Sequence, residues 1–198
     1  MSSSSLDDLR AWARERFQAW RFGPLALLLA LAASAGAGRP RIERLGRDAL
    51  LALLCLLQLR IWDDLADLPR DRVAHPGRVL CRAAAHGPFR ASIVGLAGAS
   101  TLLLARPRPA LRRLLGFAAL NAGFCLWYRG PGQHLSGTVA GAHVVLLKYP
   151  ALVALLRGPD RPAGPALVFA AAGVYLALCV HELLDGERLA LGVMQGRP

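Results

Sequence analysis

The segment LGRDALLALLCLLQLRIWDDLADLPRD, residues 45–71, joins an apolar run directly to a cluster of aspartates. The apolar run covers 45–62, a length that lets a helix cross the roughly 30 Å hydrocarbon core of a bilayer. The aspartates that follow are Asp63, Asp64, Asp67 and Asp71. This segment therefore predicts a membrane-spanning helix that carries several carboxylates at its end.

Five further apolar runs of similar length occupy much of the remaining chain, at 22–38, 89–105, 111–128, 137–156 and 163–184. The breaks between the runs are rich in Pro, Gly and Arg, which favours turns. Most breaks are short, so neighbouring helices should pack antiparallel. The predicted fold is all-α, a multi-span transmembrane bundle of about six helices, with residues 22–187 as the transmembrane domain and 188–198 as a short tail.

Composition supports this class. The chain has 198 residues, of which 55% are hydrophobic and 19% charged, and its mean hydropathy is +0.38. Soluble domains carry about 45–50% apolar and about 25% charged residues, so an ordinary cytosolic enzyme is excluded. A disulfide-rich secreted fold is excluded as well, because the cysteines are widely spread and mostly lie inside apolar runs: Cys55, Cys81, Cys125 and Cys179.

The net charge of +11 is distributed in a way that favours a membrane and not a nucleic acid as the partner. All but one of the 24 basic residues are arginines, and most lie between the apolar runs instead of forming one stripe. With a cytoplasmic N-terminus, thirteen arginines lie inside and ten outside. The positive-inside rule therefore favours a multi-pass protein with its N-terminus in the cytoplasm.

The N-terminal segment, residues 1–21, has apolar side chains at helical spacing with arginines among them. This pattern predicts an amphipathic helix that lies in the headgroup region of the membrane.

The aspartate cluster points to cation binding. On a continuous helix Asp64, Asp67 and Asp71 would share one face, where their charges repel unless a multivalent cation lies among them. Mg²⁺ is usually held by a few carboxylates together with phosphate oxygens of a substrate. Pro69 is expected to end the helix near Leu68 and to place Asp71 on a turn. The alternative is a set of solvated residues at a helix end, balanced by nearby arginines.

These residues resemble the UbiA superfamily of intramembrane prenyltransferases. That family's first signature, Asn/Asp-Asp-x-x-Asp-x-x-x-Asp at the end of the second transmembrane helix, is matched at every fixed position by Asp63, Asp64, Asp67 and Asp71. The following residues 71–80 are similar to the family's downstream stretch, with Val79 in place of a usual proline.

The resemblance implies a Mg²⁺-dependent enzyme of isoprenoid biosynthesis in the bacterial inner (cell) membrane. It would transfer an isoprenyl group from its diphosphate to a lipophilic acceptor, through an allylic cation. Asp63, Asp64, Asp67 and Asp71 would hold the metal, with Asp64 and Asp67 as catalytic residues. A second acidic motif is expected at the end of the sixth helix, where Glu182 and Asp185 would be metal ligands; the alternative is a polar exit from the last span.

Four basic residues are candidates for diphosphate binding: Arg60, Arg72, Arg78 and Lys148. Lys148 is the only lysine and lies inside a predicted span, where ionisable groups are costly and usually functional. It is therefore also a catalytic candidate. Its alternatives are snorkelling or a structural ion pair, and Tyr149-Pro150 beside it predicts a kink. The three arginines could instead balance the aspartates.

Members of the family typically have nine transmembrane helices, whereas this sequence predicts six. One side of the cavity would then be open to lipid. Either a second copy or a partner chain closes it, or the acceptor enters there, or the protein has lost catalysis. Two other functions stay open: a related membrane terpene cyclase, and a non-catalytic protein that binds prenyl lipids. Asn121 and His143 are expected to form hydrogen bonds between helices. Trp62 and Tyr128 match an interfacial aromatic belt.

Overall fold

Helices make up almost all of the computed structural model, which describes residues 3–38, 41–106, 111–135, 138–158 and 164–184. Within these ranges there is no β-strand. In chain order the helices are α1 (Ser3–Arg16), α2 (Ala19–Ala33), α3 (Ile42–Ala66), α4 (Leu68–Ala74), α5 (Val79–Arg82), α6 (Gly87–Ala105), α7 (Leu111–Arg129), α8 (Pro131–Leu135), α9 (Val139–Leu146), α10 (Lys148–Arg157) and α11 (Pro165–Leu184). The predicted all-α class is confirmed.

Each predicted apolar run contains helix, but the runs differ in how well they suit a bilayer. Two helical stretches are long and apolar enough to cross one, Gly87–Ala105 and Val139–Arg157, the latter formed by α9 and α10 together. Shorter apolar helices occupy Ala19–Ala33 and Pro165–His181. The described part of the chain thus contains two helical stretches that could cross a membrane by length and composition.

Helix α3, which carries the aspartates, is the longest of the described helices, with 25 residues. Charged residues lie in both of its end regions, so the uncharged stretch between Asp48 and Arg60 is short. At about 1.5 Å per residue that stretch covers roughly half of a hydrocarbon core. Helix α3 instead lies in the middle of the bundle, packed against α2 and α6.

Prolines accompany helix breaks beside two of the predicted site residues, Asp71 and Lys148. Helix α3 ends at Ala66, and α4 begins at Leu68 with Pro69 in its first turn, where a missing N–H is tolerated. Asp71 therefore lies in a new short helix and not on the predicted turn. At the second position, Pro150 follows a break at Leu147 between α9 and α10, as the kink prediction requires.

The main core forms where α2, α3 and α10 meet. Leu29, Ala52, Leu152 and Val153 are fully buried there. Small alanines on α2 and α3 let these helices approach closely. This contact fixes the end of α3 relative to the start of α10, and so it positions the candidate site.

Helix α1 packs against the bundle through its apolar face. Trp12 is only 2% exposed and meets Phe89 of α6 edge to face, with ring centroids 6.2 Å apart. Ile61 and Leu80 complete this second apolar cluster. The predicted amphipathic helix is present, and part of its apolar face is covered by protein; its position in the headgroup region stays a prediction.

Candidate functional site

Asp63, near the C-terminal end of α3, is a buried carboxylate held from two other helices. Its side chain forms an ion pair with Nζ of Lys148, the first residue of α10. The hydroxyl of Tyr128, at the end of α7, donates a hydrogen bond to its other oxygen. Asp63 and Lys148 are 3% and 6% exposed, so both charges are shielded from water. The structural ion pair considered for Lys148 is thus present.

Asp64 is the next residue along the chain, and its side chain points to different partners. Trp12 Nε1 of α1 donates to its Oδ2 over 2.9 Å, and Arg16 donates to both oxygens over 3.1 and 3.3 Å. Arg60, one turn earlier on α3, lies 3.4 Å from Oδ1. The carboxylate therefore ties α1 to the end of α3.

The charges of Arg16 and Arg60 determine the protonation state of the Asp64 carboxyl. Burial by itself raises the pKa of this carboxyl, but the charges of Arg60 and Arg16 and the hydrogen bonds from Arg16 and Trp12 outweigh it, so the pKa lies below its ordinary value. Burial alone would lower the pKa of Arg16, whereas its contacts with Asp64 keep that pKa above the ordinary value. The pair is fully charged at neutral pH.

The remaining aspartates of the motif lie on or beside α4. Asp71 is 5% exposed, and its Oδ2 is 2.5 Å from Nη1 of Arg78, the residue that precedes α5. Asp67 is half-buried at the junction of α3 and α4, and Arg72 is exposed. Arg78 is thus beside a motif carboxylate, and Arg72 is on the surface.

Three of the residues singled out in the sequence line one small pocket: Arg60, Asp63 and Lys148. Its volume is about 30 Å³, and its other walls come from α9 and the start of α10, including Leu146 and Tyr149. Asp63 and Lys148 are 85 positions apart in the chain, so only the tertiary fold brings them together. The pocket has room for about one water molecule.

Magnesium is the ion that the resemblance implies, and the donor set can be tested against it. The chemistry of four carboxylates suits Mg²⁺. Their arrangement does not: the oxygens of Asp63, Asp64 and Asp71 are engaged by lysine, arginine, tyrosine or tryptophan, and adjacent carboxylates turn to opposite partners. Among the described residues, no three His, Cys, Asp or Glu side chains converge on a point. In this arrangement Asp63, Asp64 and Asp71 pair with cationic side chains of the protein itself.

The predicted second motif cannot be placed beside the first. Asp185 lies outside the described residues, and only the backbone of Glu182 is described, at the end of α11. Their assignment as metal ligands stays a prediction.

Three partners of the aspartates were not anticipated from the sequence: Trp12, Arg16 and Tyr128. Tyr128 matched an aromatic belt, yet its hydroxyl bonds Asp63, and its ring lies 5.9 Å from that of Trp62. The regular apolar spacing in α1 indicated that one face of this helix would be buried. It did not indicate that Asp64 would be the partner of that face. By contrast, Asn121 pairs with Gln58 of α3, and His143 lies 2.7 Å from the Tyr175 hydroxyl of α11, as predicted for bonds between helices.

Comparison with models of protein families gives no match, and comparisons with curated proteins and with solved structures give none either. The resemblance to the UbiA superfamily accordingly rests on the motif residues alone.

Proposed function

We propose that this chain is an integral membrane prenyltransferase, which transfers an isoprenyl group from its diphosphate to a lipophilic acceptor. The observation that carries the proposal is the pocket at the end of α3, where Arg60, Asp63 and Lys148 meet. These are a carboxylate of the UbiA-like motif and two of the basic residues that the sequence assigns to the diphosphate.

A multi-pass membrane position is supported by the outer surface of the bundle. Large apolar side chains are exposed on several helices, including Val94 and Leu102 on α6, Leu126 on α7 and Phe169 on α11, each exposed by 70% or more. Only 17% of the α6 span is buried within the protein, which is unlike the core helix of a soluble domain. A surface of this kind favours contact with lipid.

The chemistry of the proposed step follows from the cations of the pocket. The bond between C1 of the isoprenyl group and the diphosphate oxygen breaks, and negative charge accumulates on the leaving diphosphate. Lys148 and Arg60 would stabilise that charge in a site of low dielectric constant. The apolar helices would hold the isoprenyl chain and exclude water, so that the acceptor and not water forms the new bond to C1. The proton that the acceptor loses would pass to the released diphosphate.

Substrate binding has a structural requirement. A pocket of about 30 Å³ is too small for a diphosphate group. The Lys148–Asp63 pair would therefore open, and Lys148 would exchange a carboxylate for phosphate oxygens. Because the exchange replaces one anionic partner with another, the buried lysine stays compensated. Asp63 would keep only the hydrogen bond from Tyr128, so opening the pair carries the cost of one buried carboxylate without its cation.

A second candidate, a non-catalytic protein that binds prenyl lipids, is favoured by a different observation. Three of the carboxylates that would hold a metal, Asp63, Asp64 and Asp71, are paired with internal cations, an arrangement that needs no catalytic role. Both candidates predict that the protein binds isoprenyl diphosphates, and only the first predicts turnover.

The deciding experiment measures diphosphate release by purified protein in detergent, with farnesyl or geranylgeranyl diphosphate, a panel of lipophilic acceptors, and buffer with or without MgCl₂. Release is expected for the unmodified chain and is expected to fall at least tenfold in Arg60→Gln, because a hydrogen bond to a charged group contributes about 1.5–3 kcal/mol. Arg90→Gln is the matched control, since Arg90 is exposed on α6 and does not line the pocket.

Each outcome favours one reading. Saturable binding of farnesyl or geranylgeranyl diphosphate, without release of diphosphate under any condition, would reject the transferase in favour of the lipid-binding candidate. No binding at all would reject both. Release that is lost in Asp64→Ala but kept in Arg60→Gln would overturn the assignment of the pocket, because Asp64 faces α1.

A further inference from the structure

A second and larger cavity lies between α7 and α10 and extends to the end of the bundle opposite the aspartates. Its volume is about 520 Å³, within the range of small-molecule sites. The contacts of α3 establish its position: Asp63 meets the start of α10, whereas Arg44 donates to the carbonyl of Arg157 at the end of α10. The cavity extends along α10 from Ala151 to Gly158, so its far end at Gly158 lies the length of α10 from the pocket at Lys148.

One end of this cavity is cationic. Arg112 and Arg113, in the first turn of α7, both line it. Arg113 is only 7% exposed, although burying an arginine is costly. Its guanidinium lies against the C-terminal end of α10, where the helix dipole favours positive charge.

Gly158 makes this position of Arg113 possible. It follows the last residue of α10 and has φ +73°, a conformation that favours glycine. A Cβ at residue 158 would lie 2.5 Å from both Nε and Nη2 of Arg113. A side chain here would consequently displace the guanidinium from the cavity wall.

The same end of the molecule carries an excess of positive charge. Arg44 and Arg47 both contact Asp48, at 3.3 and 3.4 Å, so one carboxylate is shared by two guanidinium groups. Arg157, at the end of α10, donates to backbone carbonyls of α2 and the turn after it. An anionic group at Arg112 and Arg113 would therefore meet a favourable potential.

The rest of the cavity wall is apolar. Leu120 and Leu155 provide large side chains, and Ala151 and Ala154 leave space between α7 and α10. A soluble anion would use only the cationic end of such a site. A molecule with an anionic head and a hydrocarbon chain would match both parts.

We propose that this cavity binds an anionic phospholipid, with the phosphate of its net negative headgroup at Arg112 and Arg113 and the adjoining acyl chain along Leu120 and Leu155. This site is separate from the pocket at Lys148, and its occupation does not depend on prenyl transfer.

The test uses native mass spectrometry of the purified chain in detergent, titrated with dioctanoyl phosphatidylglycerol, dioctanoyl phosphatidylcholine or inorganic phosphate. Arg112→Gln is expected to weaken phosphatidylglycerol binding by about tenfold, since it removes a charged hydrogen-bond donor. Ala154→Leu is expected to weaken it by filling the apolar part. Arg106→Gln is the matched control, because Arg106 is an exposed arginine outside the cavity.

Binding of phosphatidylglycerol that falls in both cavity variants and stays within twofold in the control would support the site. Equal losses in Arg112→Gln and Arg106→Gln would show general attraction to a basic surface and would overturn it. So would undiminished binding in Ala154→Leu, equal affinity for both lipids, or displacement by inorganic phosphate at the concentration of the lipid. Thermal unfolding of each variant identifies any that does not fold. Arg112→Gln tests the cationic end of the cavity and Ala154→Leu tests its apolar part, so each variant is an independent test.

Discussion

The buried pair between Lys148 and Asp63 gives the sharpest test of how the aspartate motif contributes to the fold. Lys148→Met keeps most of the length of the side chain and removes its charge. Asp63, which is 3% exposed, would then keep Tyr128 but lose its cation. Removing one partner of a buried ion pair costs about 3–5 kcal/mol, because the other charge stays buried without compensation. For a chain of this size the midpoint of thermal unfolding should fall by on the order of 10 °C.

Comparison with a double variant separates this cost from the loss of packing. Asp63→Asn together with Lys148→Met removes both charges, so it should be more stable than Lys148→Met alone by about 1–3 kcal/mol. Unfolding in detergent is followed by circular dichroism, with Arg90→Met as the control for an exposed charge. A loss below about 0.5 kcal/mol in Lys148→Met, or a double variant no more stable than the single one, would refute the buried pair, since losses that small are typical of surface positions.

Other contacts lead to further predictions. Trp12→Phe should lose about 1.5–3 kcal/mol, since the ring contact is kept and the hydrogen bond to the charged Asp64 is lost, whereas Trp20→Phe, at a residue 68% exposed, should have little effect in the same denaturation assay. The lowered pKa of Asp64 means that its contribution to stability is complete above its unfolded value of about 3.9 and is lost as the pH falls through the folded pKa. The free energy of unfolding, measured from about pH 6 to about pH 3, should thus depend less on pH in Asp64→Asn than in the unmodified chain. An equal pH dependence in both would contradict the assignment. Gly158→Ala should destabilise the protein by more than Gly38→Ala, because both glycines have positive φ but only Gly158 has an arginine side chain within contact of the added Cβ; equal losses would exclude the steric part of the effect.

Much of the local structure could be predicted from the sequence because it depends on short-range patterns. The apolar runs gave helices, and Pro150 gave a break beside Lys148. Pro69 was harder to interpret: it ended one helix but also began the next, because proline is accepted in a first helical turn. The predicted turn at Asp71 was wrong for that reason.

The partners of the aspartates could not be predicted in the same way. Asp63 and Asp64 are neighbours in the chain, and successive residues on a helix point about 100° apart. Which helix lies in each direction depends on how α1, α7 and α10 pack around α3, and that packing is set by apolar contacts spread along the whole chain. Spacing alone predicted a shared cation, whereas the structure has separate ion pairs.

The amino-acid sequence by itself determined an arginine-rich, helical chain with unusually apolar helices and a carboxylate cluster after one of them. Composition, periodicity and proline placement are local properties, so they determine where helices form without reference to how the helices pack. Only the tertiary structure decided that the carboxylates would be paired by residues from three distant helices, and that a cationic end and an apolar wall would form one cavity between α7 and α10. Ion pairs and cavities arise where segments far apart in the chain come together, and their physical basis is the geometry of that packing.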